Sequence, residues 1–167
     1  MDDQTLLSKF VEHFTEDGAA DPFEGDLVVR QLTDASALDP IYSVIPIKFP
    51  ALLEKLLLSY RWHGADTGMF RLLANPPGSD LSVFLSQMIK DKVIHENCSK
   101  NGFVQFGWGT DFCYDPVCFD TRARERNFPI VQLDHEQILC HSRIKDVATL
   151  AKNFEELVES VLNAGSS

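Results

Sequence analysis

Two cysteines and two histidines have a spacing close to that of a zinc site. Four residues separate Cys113 from Cys118, five separate His135 from His141, and sixteen lie between the two pairs. Thiolates and imidazoles are preferred zinc ligands, and the usual zinc-finger pattern has about twelve residues at its centre. Cys118 falls in an apolar segment that predicts a strand, and the histidines flank a predicted strand end. We therefore expect a buried core thiol and a loop thiol without metal. A small zinc enzyme is the alternative that uses these four residues.

The tripeptide Asp134-His135-Glu136 could serve acid–base chemistry. In an extended chain successive side chains point to opposite faces, so the histidine would point away from both carboxylates. A general base also needs a partner and a cleft. We expect these residues to fix the backbone where a strand ends. The sequence has no Gly-x-Ser-x-Gly elbow and no phosphate-binding glycine loop, so we predict that the chain is not an enzyme and has no cofactor.

Aromatic residues in predicted turns are better candidates for function. Trp62 and Trp108 both fall in such turns, and aromatic side chains on loops are typical anchors of protein interfaces. Nearby carboxylates would add charge complementary to a basic partner. An alternative is that each tryptophan closes one end of the core. The predicted partner-binding residues are Trp62, His63, Trp108, Asp111, Tyr114 and Asp115.

The elements that position these residues follow from hydrophobic periodicity. Apolar stripes predict helices near 3–16 and 49–60, a helix capped by Ser79 or Asp80, and a helix from Asp146 to about 161. Short apolar runs predict strands at 27–29, 69–73, 103–106, 117–119 and 129–133, with loops at 17–25 and 107–111. Strands joined by short turns pair antiparallel. We therefore predict an α+β single domain, mainly an antiparallel sheet packed with N-terminal and C-terminal helices.

The net charge of −10 is concentrated at one end of the chain. Residues 1–40 contain ten acidic and two basic residues, a charge of −8. Phosphate binding depends on Lys and Arg, so this charge disfavours nucleic-acid partners. It favours a basic protein partner, although acidic surfaces also serve solubility alone. We divide the chain into an acidic helix and loop segment (1–40), an α+β core (41–163) and a frayed tail (164–167).

The same composition bears on cellular location. The longest apolar runs are far shorter than the roughly 20 residues of a membrane span, and the N-terminus is acidic where a secretory signal would be basic. A chain of 167 residues does not need its four cysteines as disulfides. We expect a cytoplasmic protein with reduced thiols and no membrane association.

The C-terminal two thirds resembles the SUKH superfamily, which includes fungal cell-wall-synthesis regulators and many bacterial immunity proteins. The resemblance covers roughly residues 41–163, and its motifs follow one another in the order expected for the family. The first motif is a helix with a proline near its start, which corresponds here to the segment from Ile45-Pro46 to Tyr60. The remaining motifs are Phe106-Gly107, the run from Tyr114 to Asp120, Pro129-Ile130-Val131, Asp134-His135-Glu136 and the run from Phe154 to Leu157. Two features depart from the family pattern: the turn at 61–65 has a single glycine, and residues 1–40 have no counterpart.

The resemblance implies a protein-binding role without catalysis. Many bacterial members neutralise toxins, often nucleases, by stoichiometric binding. An acidic chain that meets a basic toxin is electrostatically favourable. We therefore expect an immunity protein against a cognate basic toxin, and the alternative within the same fold is a regulatory scaffold protein.

Overall fold

A six-stranded antiparallel sheet forms the centre of the molecule. The structure is a computed structural model that describes residues 1–18, 28–123 and 127–166. Side chains are described for all of these residues except 15–18. The strands of the sheet are β3 (Ala65–Asp66), β4 (Phe70–Leu72), β5 (Phe103–Gly109), β6 (Pro116–Asp120), β7 (Ile130–Leu133) and β8 (Asp146–Ala151). Each strand pairs with the next one in sequence. Two further strands, β1 (Val29–Arg30) and β2 (Tyr60–Arg61), form a separate antiparallel pair. The predicted α+β class is confirmed.

The described residues also contain seven α-helices and one 3-10 helix (Ala35–Leu38). The α-helices are α1 (Asp3–Gly18), α2 (Asp39–Tyr42), α3 (Ala51–Ser59), α4 (Ser82–Ile89), α5 (Lys92–Lys100), α6 (His135–His141) and α7 (Phe154–Gly165). The predicted helices near 3–16 and 49–60 are confirmed as α1 and α3. The predicted loop at 17–25 lies almost wholly outside the described residues. No described helix is long and apolar enough to cross a bilayer.

The central strands are covered on both faces. Side chains alternate along a strand, so neighbouring residues enter different clusters. In β6, Val117 and Phe119 join the large cluster that contains the apolar residues of α1, α3 and α7. Cys118, between them, joins a smaller cluster with residues of α5 and α6. The sheet therefore lies between two layers of helices, and the apolar side chains of α1 belong to the main core.

Three sequence predictions of local structure were wrong. Residues from Asp146 to Ala151 form β8 instead of the start of the last helix, and Asn153 caps α7 by accepting a hydrogen bond from the Glu156 amide at 2.8 Å. Neither Ser79 nor Asp80 caps α4, whose N-cap is Leu81 in the left-handed region. Strand β5 continues through Gly109, so Trp108 lies in a strand and not in a loop.

Two short helices, α5 and α6, were not predicted. Asp91 caps α5 through the Ile94 amide at 3.1 Å, and Asp134 caps α6 through the Gln137 amide at 3.1 Å. Only two residues of α5 are buried, Ile94 and Cys98, so its apolar stripe is too narrow to stand out. The expectation that the histidines flank a strand end is likewise wrong, because both lie on α6.

Candidate functional site

An open cleft of about 440 Å³ lies between the end of α4 and strands β3, β4 and β5. We call it the aromatic cleft. Its size is in the range of small-ligand sites, about 300–1,000 Å³. Aromatic, cationic, amide and carboxylate side chains line it. They include His63, Arg71, Gln87, Lys90, Asp91, Trp108, Phe112 and Tyr114.

Arg71 holds the β5–β6 loop, residues 110–115, against the cleft. Its Nε donates to the Gly109 carbonyl at 3.0 Å and its Nη2 donates to the Cys113 carbonyl at 3.3 Å. The guanidinium also lies 5.3 Å from the centre of the Phe112 ring. Hydrogen bonds from charged donors are stronger than neutral ones, and the cation–π contact adds to them. One side chain of β4 therefore holds the loop at its start and in its middle.

Glycines allow this close approach. A Cβ on Gly107 would lie 2.5 Å from the Arg71 carbonyl oxygen, and one on Gly109 would lie 2.9 Å from the Cys113 Cβ. Glycine inside a strand is typical of positions where other backbone passes closely. The two glycines had predicted a loop. Their actual role is to bring β4 and the β5–β6 loop together around Trp108.

The loop presents aromatic side chains to solvent. Phe112 is 84% exposed and Tyr114 is 67% exposed. The Tyr114 ring meets the half-buried Trp108 ring edge to face, with centroids 6.2 Å apart. Asp111 and Phe112 both have positive φ, at 55° and 58°. Left-handed backbone at non-glycine residues is uncommon and needs support from its surroundings, which Arg71 provides here.

The predicted binding residues separate into two groups. His63, Trp108 and Tyr114 are brought together at the aromatic cleft, and Asp111 is exposed on the adjoining loop. Trp62 is buried and donates its indole N–H to the Leu73 carbonyl at 2.9 Å. Trp62 therefore closes one end of the core. This is the alternative role that the sequence had left open for it. The sixth predicted residue, Asp115, is held inside the protein.

Asp115 anchors the end of the β5–β6 loop to α6. Its Oδ1 accepts from the His135 amide at 3.0 Å and lies 2.7 Å from His135 Nδ1, while its Oδ2 accepts from Gln132 Nε2 at 3.0 Å. Desolvation raises the pKa of this carboxyl group, but the hydrogen bonds from His135 and Gln132 outweigh it and lower the pKa. Its charge is directed inward, so it is not part of an exposed acidic surface.

Five of these cleft residues were not predicted from the sequence: Arg71, Gln87, Lys90, Asp91 and Phe112. The first three come from β4 and the end of α4, far in sequence from Trp108, and no local pattern connects them to it. Phe112 had a detectable signal, since it lies between two predicted binding residues, Asp111 and Tyr114. An apolar aromatic flanked by loop residues is a candidate for exposure whenever the loop is too short to bury it.

The four residues of the zinc alternative do not form a ligand group. Cys118 is buried beside Cys98, where burial raises the pKa of its thiol, and His141 is exposed at the end of α6. Within the described ranges, the group whose ligand atoms lie within 4.8 Å of one another is Asp115, Asp134 and His135. Both carboxylates of that group already accept hydrogen bonds from the protein. Their arrangement is that of a helix cap and its anchor.

Comparisons with known proteins gave no match among family models, curated proteins or solved structures. The class that the fold and site define is an α+β domain with an open aromatic cleft and an exposed aromatic loop beside it.

Proposed function

We propose that this chain is a protein-binding domain without catalytic activity, and that the β5–β6 loop makes the central contact. The observation that carries the proposal is the exposure of Phe112 and Tyr114 on a loop that Arg71 and Asp115 hold in place. Exposed aromatic residues are enriched among the residues that dominate interface energetics. A loop that is already ordered loses little entropy when a partner binds.

The partner that best fits the charge of the chain is basic. A net charge of −10 attracts cationic proteins and accelerates their encounter at low salt. Exposed carboxylates that face one groove between α1 and α7 include Glu12 and Glu159. Together with the SUKH resemblance, this supports a cytoplasmic immunity protein that neutralises a basic toxin by stoichiometric binding. A nuclease is such a toxin, because its own substrate is polyanionic.

Affinity capture with matched variants tests the proposal. The wild-type chain, the double variant Phe112→Ala/Tyr114→Ala and the control Leu32→Ala are immobilised and exposed to host lysate in low and high salt. Leu32 is 70% exposed but does not line the aromatic cleft. The captured protein is then purified and titrated by calorimetry. We expect one-to-one binding that weakens with salt and is about 100-fold weaker in the double variant, since each anchor contributes more than about 1 kcal/mol. Equal affinity for all three chains would refute the proposed surface.

A growth assay separates immunity from other protein binding. The captured partner is expressed in a sensitive strain together with graded amounts of this chain. An immunity protein protects only when its amount at least equals that of the toxin. Protection by trace amounts would indicate turnover and would contradict a non-enzymatic role. A captured partner that is not toxic would replace immunity with the regulatory scaffold role.

A further inference from the structure

The polar groups that face the aromatic cleft are mainly hydrogen-bond donors. Arg71 and Lys90 supply two cationic groups, against one carboxylate, Asp91. Asp91 uses its Oδ1 to accept the Ile94 amide at the N-terminus of α5, where the helix dipole offsets negative charge. Two cationic side chains therefore face one carboxylate at the cleft, in a chain whose overall charge is strongly negative.

The remaining donors can be identified atom by atom. The Gln87 Oε1 accepts the Ala74 amide at 2.8 Å, which leaves the Gln87 Nε2 as a donor on the cleft side. Lys90 is exposed and has no ion pair among the described residues. Arg71 binds two loop carbonyls through Nε and Nη2, and its Nη1 has no hydrogen bond to any described residue. Among the described residues neither cation has an ion pair within 4.0 Å, although Asp66 is the cross-strand neighbour of Arg71 and Asp91 follows Lys90.

The cleft also has an apolar wall. Trp108 and Tyr114 stand nearly perpendicular, with an interplanar angle of 79°. A flat apolar group can stack on one of these rings while its edge meets the other. Few, well-placed polar groups in a mostly apolar cleft are typical of small-molecule sites.

We propose that the aromatic cleft binds a small organic anion with a flat apolar body, of the aromatic carboxylate class. The anionic group meets Lys90 and Gln87, with Arg71 behind them, and the ring packs on Trp108 and Tyr114. Salt screens the exposed negative charges that lie farther from the cleft than the Debye length of about 8–10 Å. The contacts inside the cleft are screened less. This inference goes beyond the proposed protein partner and does not depend on it.

Three probes that differ in charge test the inference on the purified full chain. The probes are 2-naphthoate, the neutral 2-naphthalenemethanol and the cationic 2-naphthylmethylammonium, each titrated at physiological ionic strength and followed by ¹⁵N–¹H spectra. The two indole N–H signals serve as an internal comparison, because Trp62 is buried and Trp108 lines the cleft. We expect naphthoate to shift the Trp108 signal alone and to bind at least about tenfold more tightly than the ammonium compound.

Charge-matched variants separate the anion contact from the apolar wall. Lys90→Gln is expected to weaken naphthoate binding about fivefold and to leave binding of the neutral alcohol unchanged. Lys48→Gln, which removes an exposed charge from a different groove, is expected to change neither. Tyr114→Ala is expected to weaken all three probes. Equal binding of the three probes, preference for the cation, or absence of a Trp108 shift would each overturn the inference. Because no partner protein is present, these outcomes are independent of the proposed function.

Discussion

Replacing Asp115 by asparagine tests whether the carboxylate that anchors the β5–β6 loop stabilises the fold. The wild-type side chain, 13% exposed, faces three N–H donors of His135 and Gln132. Asparagine keeps one acceptor oxygen, loses the charge and turns an NH₂ group toward one of these donors. Hydrogen bonds to charged groups contribute about 1.5–3 kcal/mol each, so we expect Asp115→Asn to lower the free energy of unfolding by about 2–4 kcal/mol at neutral pH.

The pH dependence of this loss has a definite sign. The pKa of Asp115 is lower in the folded protein than its ordinary value of 3.8. A carboxyl group with a lowered pKa stabilises the fold above its unfolded pKa, and this contribution disappears as the pH falls through the folded value. The difference between wild type and variant should therefore shrink as the pH falls below about 3.8.

Urea unfolding at a series of pH values measures both quantities by linear extrapolation. Asp111→Asn is the matched control, because Asp111 is an exposed carboxylate on the same loop and asparagine tolerates its positive φ. We expect the control to change stability by less than about 0.5 kcal/mol. A similarly small effect of Asp115→Asn at neutral pH would refute the anchoring role. An undiminished effect in acid would refute the electrostatic explanation.

Four further substitutions test other parts of the structure. Arg61→Leu removes a buried guanidinium that donates to two backbone carbonyls at the end of α3. We expect the free energy of unfolding to fall by about 3 kcal/mol. Unchanged stability in calorimetry would contradict this. Gly107→Ala places a Cβ against the Arg71 carbonyl oxygen. We expect it to lower the free energy of unfolding by about 1–3 kcal/mol and to weaken 2-naphthoate binding. A variant with native stability would exclude the close approach of β4 to Gly107. Asn153→Ala should lower the free energy of unfolding by about 1 kcal/mol, because Asn153 caps α7, and Asp146→Ala should lower it by less than about 0.5 kcal/mol. Denaturant unfolding measures both values. A larger loss for Asp146→Ala than for Asn153→Ala would indicate that Asp146 is the helix cap.

The sequence predicted local structure best in elements that bury one face and expose the other. Leu6, Leu7, Phe10 and Phe14 form a regular stripe, and all four are buried on α1. Such a stripe predicts a helix because it must face a core, whatever that core contains. The buried strand residues around Phe119 were predictable for a similar reason. The α+β class follows from these local signals, because strands linked by short turns have few alternative pairings.

The error at Asp146 shows how pairing between strands overrides a helical pattern. The spacing of Val147, Leu150 and Ala151 continues the stripe of α7, and in isolation it predicts helix. In the folded chain this segment pairs with β7, in a register interrupted by two irregularities. The edge of β7 supplies hydrogen-bond partners that no local propensity reports. The helix begins only after Asn153, where a side-chain cap is available.

The sequence indicated some residues of the candidate site by their type, but it did not indicate which residues the fold brings together there. Trp108, Tyr114 and His63 were identified because exposed aromatic and imidazole side chains are useful in binding. Arg71 and Lys90 carried no signal, since an isolated basic residue on a strand or at a helix end is usually a solvated charge. Arg71 reaches the cleft through the register of β4 against β5, which places it opposite Trp108, and Lys90 reaches it at the end of α4.

The contact between α1 and α7 gives folding of this chain an order in time. Each strand of the main sheet pairs with the next one in sequence, and the longest connection, which holds α4 and α5, lies between β4 and β5. Joining α1 to α7 closes a much longer loop. During synthesis α1 can meet α3 early, but it meets α7 only after the whole sheet has been made, so part of its apolar side stays uncovered until then.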